Sequence, residues 1–545
     1  MSETVSGTTA PNGTGGPGAP AGARDLTAEI RRACRAAAEH CRTTQNADGS
    51  WSPDPDPRIT ETALVCHALA RSRGTRADPG VDGAVARART WLRAATPQGH
   101  DPGVRLLETL LRSHALGEPD AARATLYESC RTTLPARARL IRAVALSASG
   151  TTPSGTTPSG ATAPFGAGAL AEGIERLTAD TERLGTGAEW AGKPWSRTEV
   201  LAELALAQHA AGRPADAAAT VASLARDQSP DGSFHSLAIT TALAFLALDT
   251  AAPGGTAWTR ARRSLLDIQR ADGTWRFSPT EIWDTALTVR SFRGVPAFDT
   301  ACLAPARAFL RATQNPDGGW PCLAGLTSDY DTTSTALTAL ADDPRAAAAI
   351  DRGLEFLRAG QRADGLWPTW QSASDTPAQD VIAHVLTALD VHGHRHRVET
   401  GRARHWLAAQ WYTDRRWTAD WYRGLPYATA EAVRALPGHE AAARAADRLA
   451  ARREPDGGWA AEPGEPTTPG STGLALAALH AAGHPAARPT DRGVHGLLAA
   501  QRPDGTWEGA PMMYGPRPLL AHYGSHTQAF VVCGLRAVTE RVPAW

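Results

Sequence analysis

One short segment, Gln-x-x-Asp-Gly-x-aromatic, returns along the whole 545-residue chain. It reads QNADGSW at 45–51, QSPDGSF at 228–234, QRADGTW at 269–275, QNPDGGW at 314–320, QRADGLW at 361–367 and QRPDGTW at 501–507. REPDGGW at 453–459 is a seventh copy, and a degenerate eighth runs from Gln410 to Trp417. From 228 onward the starts are 41 to 49 residues apart. Such a period means stacked structural repeats, because one unit cannot bury its own apolar face. Each period holds two Ala/Leu-rich stretches with helical apolar spacing, such as ALTALADD and AAAIDRGLEFLRAG after the 314 copy, separated by Gly, Pro and Asp. The unit is therefore a helical hairpin. Asp-Gly makes the turn, the Gln side chain can bond a neighbouring helix end, and the Trp packs beneath. Hairpins starting at 269, 314, 361, 410, 453 and 501 predict a closed all-α barrel in which these motifs are staples without chemistry of their own.

Between Trp51 and about residue 262 the period lapses, and TTPSGTTPSGATAPFG at 151–166 reads as part of a flexible loop, 149–168. Residues 52–262 are thus expected to form a second helical domain inserted into the first. The helix in 24–51 then belongs with the barrel of 263–545, although it precedes the insertion. Residues 1–23, rich in Gly, Pro, Thr and Ala, read as a disordered tail, with neither the charged start nor the apolar run of a signal peptide. Lys+Arg and Asp+Glu balance at 56 each, which argues against a nucleic-acid partner. No apolar run reaches membrane-spanning length. The seven cysteines are scattered and never spaced CxxC, so neither a disulfide framework nor zinc is supported and a reducing cytoplasm is expected. A small molecule is the expected partner, with homo-oligomerisation left open.

Three further segments make the pattern specific: SDYDTTSTAL at 328–337, TEIWDTALTV at 280–289 and QDVIAHVLTAL at 379–389. They resemble the DxDD, WDT and DVxAH segments of squalene-hopene cyclases and class II diterpene cyclases, and the repeats are similar to the QW motifs of that family. The likeness covers nearly the whole chain after the tail. It implies two α/α-barrel domains of the βγ terpene cyclase kind, and an enzyme that protonates the tail alkene of a linear prenyl diphosphate and closes it into fused rings.

That chemistry needs a carboxylic acid that stays protonated near neutral pH and whose conjugate base is stabilised as the proton leaves. Carried over from the family, Asp331 looks like the general acid with Asp329 before it, His384 looks like its hydrogen-bond partner, and Asp380 and Asp284 look like supporting carboxylates. Asp380 and His384, four apart, share one helix face. The family's last acidic residue is replaced, since Thr332 and Thr333 follow Asp331. A Thr hydroxyl can still donate to the carboxylate, so both are expected at the substrate. The plainer reading of SDYDTT is a helix N-cap, and both readings can hold together. The DxDTT spelling resembles that of actinobacterial drimenyl diphosphate synthases, which implies farnesyl diphosphate as substrate and a drimane-type bicyclic diphosphate as product.

Trp283, Trp417, Trp421, Tyr422, Tyr427 and Tyr523 stand where the family lines its cavity with electron-rich rings for carbocations, and each is about as readily explained by ordinary packing. Lys193, the chain's single lysine, resembles a diphosphate-contacting lysine of plant copalyl diphosphate synthases; an exposed lysine is the alternative. Mg²⁺ is expected as a diphosphate counterion, with no ligands to name and no organic cofactor. There is no DDxxD, so ionisation-initiated chemistry is not expected; ADDPRA at 341–346 lacks the second acidic cluster. A copalyl-type cyclase acting on geranylgeranyl diphosphate is the alternative enzyme, and a non-catalytic helical-barrel binding protein the alternative class.

Overall fold

The computed structural model describes residues 21–72, 78–97, 99–118, 120–148, 167–185, 194–369, 376–393, 399–487 and 492–539. Most of the expected tail, the loop 149–166 and Lys193 lie outside the described residues. The first helix, Ala21–Thr44, begins inside the expected tail, and another, Ala167–Gly185, begins inside the expected loop.

Among the described residues six helices form a closed inner ring: Glu281–Phe292, Tyr330–Ala339, Gln379–Val391, Leu425–Ala435, Pro469–Ala481 and Gly524–Thr539. Each packs on the next, and the last returns to the first. All six are buried on nearly every face, as inner walls must be, whereas their outer companions are amphipathic. Those outer helices are Ala21–Thr44, Leu303–Ala312, Ala347–Gly360, Gly401–Asp414, Glu440–Ala450 and Arg492–Ala499.

The repeat motif holds this outer layer together in one way. In each copy ending in Trp, the indole N–H donates to the carbonyl ten residues earlier, for example Trp320 to Leu310 and Trp507 to Leu497, at 2.6 and 2.7 Å. The motif Gln donates to a carbonyl in or just before the following outer helix: Gln45 to Cys302, Gln314 to Ala349, Gln361 to Glu399. Gln501 donates to Ala33 at 2.9 Å, which ties the final copy to the first helix and closes the circle. The motif Gly is left-handed because only there can the turn press against the next helix; a Cβ on Gly505 would stand 2.4 Å from the Ala36 carbonyl oxygen.

A second hydrophobic core gathers residues from Ile59 to Trp275. Its inner helices are Ile59–Arg71, Pro102–Leu116, Ala138–Ala148, Pro194–Ala210 and Ala238–Ala251. Two expectations change here. The boundary at 262 falls short, because Leu265 and Trp275 are buried in the second core. The 269 copy accordingly staples to Ala84 and not into the first barrel, whose sixth hairpin is completed by the 45 copy. A two-stranded hairpin, Met513–Tyr514 with Leu520–Ala521, lies between the cores, and its Leu519 packs into the second one. No helix among the described residues is long and apolar enough to cross a membrane.

The tightest inner-ring crossing is that of Gly473 and Gly534, where a Cβ on Gly473 would meet the Phe530 carbonyl oxygen at 2.3 Å. Gly473→Ala should therefore cost about 1–3 kcal/mol through forced backbone displacement, read as a lower urea midpoint.

Candidate active site

A cavity of about 160 Å³ opens where the two cores meet. On the barrel side its wall holds Trp283, Asp329, Asp331, Thr332, Trp421 and Tyr422, and the hairpin closes it with Met513 to Pro516. Trp195, Glu199, His235 and Glu61 face it from the second domain.

Asp331 sits in the first turn of the Tyr330–Ala339 helix, 4% exposed. Its Oδ1 lies 2.5 Å from His384 Nδ1, on the next inner helix. The other imidazole nitrogen, Nε2, lies 3.1 Å from Oε2 of Glu431 on the helix after that. The same oxygen accepts from Arg290 at 2.5 Å and Arg434 at 2.7 Å. Burial opposes charge on Glu431, yet the two guanidinium groups hold its carboxyl well below the usual range. His384 is likewise pulled down by burial, but Asp331 and Glu431 raise it to about 9, so it is an imidazolium at neutral pH. Trp283 and Tyr427 flank that ring, with centroids 5.9 and 6.4 Å away.

Asp329 caps the helix: its Oδ1 accepts from the Thr332 amide at 2.6 Å and its Oδ2 from the Thr332 hydroxyl at 3.0 Å. The plainer reading of SDYDTT, a helix N-cap, holds. Burial, then the Asp331 charge, raises Asp329 to about 7. Asp380 does not bond His384, although one helical turn separates them. Its Oδ2 accepts the amides of Asp420 and Trp421 at 3.0 and 3.2 Å, because it stands at the helix start where that loop passes. Burial and Asp331 raise it to about 7.

Asp284 is fully buried and belongs to a second network. It accepts from Thr280 and Ser525, and its Oδ1 lies 2.9 Å from His526 Nε2. Tyr422 takes the Trp283 indole N–H at 2.8 Å and stacks on Tyr427 at 4.3 Å. Tyr427 and Tyr523 are buried and are not part of the cavity wall; Tyr523 donates to the Ser278 carbonyl at 2.5 Å.

Two expected cavity residues are repeat staples. Trp417 donates to the Leu407 carbonyl at 2.8 Å, ten residues back like every motif Trp. The Thr333 hydroxyl exchanges hydrogen bonds with the Trp320 backbone, away from the cavity. Four residues that the motifs did not reveal, Glu431, Arg290, Arg434 and His526, complete the two networks. The available signal was charge inside apolar inner helices, as in TALTVRSF and TAEAVRAL, where a solvated residue has no place.

Residues 369–539 match the squalene-hopene cyclase C-terminal domain. The chain is also similar, over a longer stretch, to curated relatives. It is 30% identical over 377 residues to the drimenyl diphosphate synthase of Streptantibioticus cattleyicolor, covering 64% of this chain and 62% of that protein. To the drimenyl diphosphate synthase of Streptomyces showdoensis it is 31% identical over 357 residues, 63% and 58% of the two chains. The matches thus span about three fifths of those curated relatives. The fold is shared with ent-copalyl diphosphate synthase from Streptomyces platensis at a TM-score of 0.59 and 20% identity, over 94% of this chain and 99% of that one.

The titrations set the sign of a pH effect. Asp329 and Asp380 at about 7, and His384 at about 9, all bind protons more tightly folded than unfolded, where ~3.9 and ~6.5 apply. Their stabilisation is complete below the unfolded values and is lost as pH rises through the folded ones. The urea midpoint should fall between pH 6 and 9, and Asp380→Asn should flatten the lower half of that slope.

Proposed function

We propose that the protein is a class II terpene cyclase that converts farnesyl diphosphate into a drimane-type bicyclic diphosphate, with Asp331 as proton donor. The observation that carries this reading is the line Asp331, His384, Glu431: a dry carboxyl in a cavity wall, backed by an imidazolium that a carboxylate and two arginines hold in place. His384 Nδ1–H occupies Oδ1, which leaves the other carboxyl oxygen to carry the acid proton. As that proton passes to the terminal alkene, the π pair forms the new C–H bond and the O–H pair stays on Asp331. The carboxylate so formed is already paired with a cation at 2.5 Å, so nothing must reorganise. The resulting carbocation meets the faces of Trp283 and Tyr422, a contact worth up to ~2 kcal/mol when dry.

For the diphosphate, the reading points behind the part of the cavity wall that Glu61 and Glu199 form. Buried nitrogens of Arg58 and Arg137, Nη1 and Nε, have no hydrogen-bond partner among the described residues, and burial already disfavours the Arg137 charge. An anion there would satisfy both. Lys193, directly before the helix that carries Trp195 and Glu199, is proposed as a further contact. Mg²⁺ is proposed as the diphosphate's own counterion. A reducing cytoplasm suits the chain, whose cysteines form no disulfide among the described residues.

Purified protein should turn farnesyl diphosphate into a bicyclic product that needs phosphatase before organic extraction, with a higher kcat/KM than for geranylgeranyl diphosphate. Asp331→Asn should keep the fold and lose cyclisation; turnover near wild type would sink the assignment. Preference for the C20 substrate would replace the drimane product with a copalyl-type one and leave the initiation chemistry standing.

Glu431→Gln removes the charge behind His384 and should lower kcat by roughly 10²-fold with little change in KM. Its alkaline limb in a pH–rate profile should move to lower pH, because the imidazolium loses one of the two charges that hold its proton.

A further inference from the structure

Among the buried imidazoles that the initiation chemistry leaves unused is His526. His526, 4% exposed, stands on the inner helix Gly524–Thr539, behind Tyr422 as seen from the cavity. The Tyr422 oxygen takes the Trp283 indole N–H, which can only donate, so its own hydroxyl hydrogen is available to His526 Nδ1 at 3.0 Å. Nδ1 must then be the lone-pair nitrogen of a neutral ring, with the hydrogen on Nε2, the atom 2.9 Å from Asp284 Oδ1. Asp284 is in turn bonded by Ser525 at 2.7 Å. Ser525 lines a different cavity, of about 550 Å³, whose wall includes the exposed Asp54, Asp504 and Glu508. A continuous chain of polar contacts therefore runs from the substrate cavity through Tyr422, His526, Asp284 and Ser525 to a solvent-facing pocket, its His526–Asp284 step a close ion-pair approach and the others hydrogen bonds. It starts on the wall that Asp331 shares, yet has no hydrogen bond to Asp331 or His384.

From this path we infer that Tyr422 is the base that ends the cyclisation, with His526 and Asp284 as the relay that makes it basic enough. The inference rests on the cyclase reading. A phenol alone is a poor base, and burial keeps Tyr422 protonated, well above its ordinary range. It becomes competent when its own proton leaves as the new one arrives. A C–H bond next to the carbocation breaks, and its electron pair becomes the second bond of the ring alkene. The proton joins the Tyr422 oxygen as the former hydroxyl proton moves to His526 Nδ1. The imidazolium so formed gives its Nε2 proton to Asp284 and by way of Ser525 to the outer pocket, which leaves a neutral ring with its hydrogen on Nδ1. The starting tautomer returns when Tyr422 loses its hydroxyl proton to water admitted as product leaves, Nδ1–H passes back to the phenol oxygen, and Nε2 regains a proton along the same path. Asp331 and Tyr422 thus divide the reaction, one starting it and the other finishing it.

The test is the product mixture of Tyr422→Phe and His526→Gln with farnesyl and geranylgeranyl diphosphates, read by mass spectrometry after dephosphorylation. Product ratios count only molecules that turned over, so partial misfolding does not disturb them. Both variants should still consume substrate and close rings. The wild-type alkene's share should fall at least about tenfold against isomeric alkenes and water-quenched bicyclic alcohols, in keeping with the ~10²–10⁴-fold a positioned base contributes. An unchanged product ratio from Tyr422→Phe overturns the inference, since that ring has no oxygen. So does recovery of uncyclised substrate from a variant that melts like wild type, which would move Tyr422 to the initiation step. Wild-type protein that cyclises neither substrate sinks the cyclase reading itself, and the relay with it.

Discussion

One carboxylate oxygen, Glu431 Oε2, is shared by Arg290, Arg434 and His384 in the interior of the ring. Three inner helices meet at that atom, and removing its charge would take a counter-charge from three buried cations at once, a costly kind of defect in a dry interior. Its charge balance matters as much as its geometry. One negative group among three positive ones leaves a surplus of positive charge beneath Asp331, and that surplus is what a departing proton requires. Asp329 and Asp380, both raised toward neutrality, keep the surplus from being cancelled.

Much of this was legible in the sequence. The period of the Gln/Asp-Gly/Trp segment demanded hairpins, and SDYDTT with DVIAH named the pair that the structure brings to 2.5 Å. What stayed hidden has a common physical cause: sequence spacing reports which face of a helix a residue occupies, not what it meets across a ring. Asp380 and His384 share a face, as expected, but one turns to a loop amide and the other crosses to the next helix. Glu431 lies one turn after Tyr427 in an Ala-rich stretch and looked like any mid-helix charge.

The repeats also misled through their own regularity. The copies at 269 and 314 read alike, yet the Trp of one enters the second core and the Trp of the other enters the first. Only the stapled carbonyl, Ala84 or Ala349, tells them apart. Trp417 and Trp421 show the reverse case. The 410 copy has lost its Asp-Gly, and Gln410 turns back on its own helix at Trp406, but the ten-residue reach to Leu407 survives and makes Trp417 a staple. Trp421 is released to the cavity wall.

The Ala21–Thr44 helix is joined to the barrel by two staples, Gln45 to Cys302 on one flank and Gln501 to Ala33 on the other. On a ribosome, where domains fold as they emerge, those flanks arrive hundreds of residues apart. All of the second core except Leu519 lies between Ile59 and Trp275 and is synthesised before either flank of the barrel exists. The first helix must therefore wait with its apolar face unburied while the whole inserted domain folds beside it. A nascent chain of this design has one early folded unit and one orphaned helix, and the orphan is the segment a chaperone would have reason to hold.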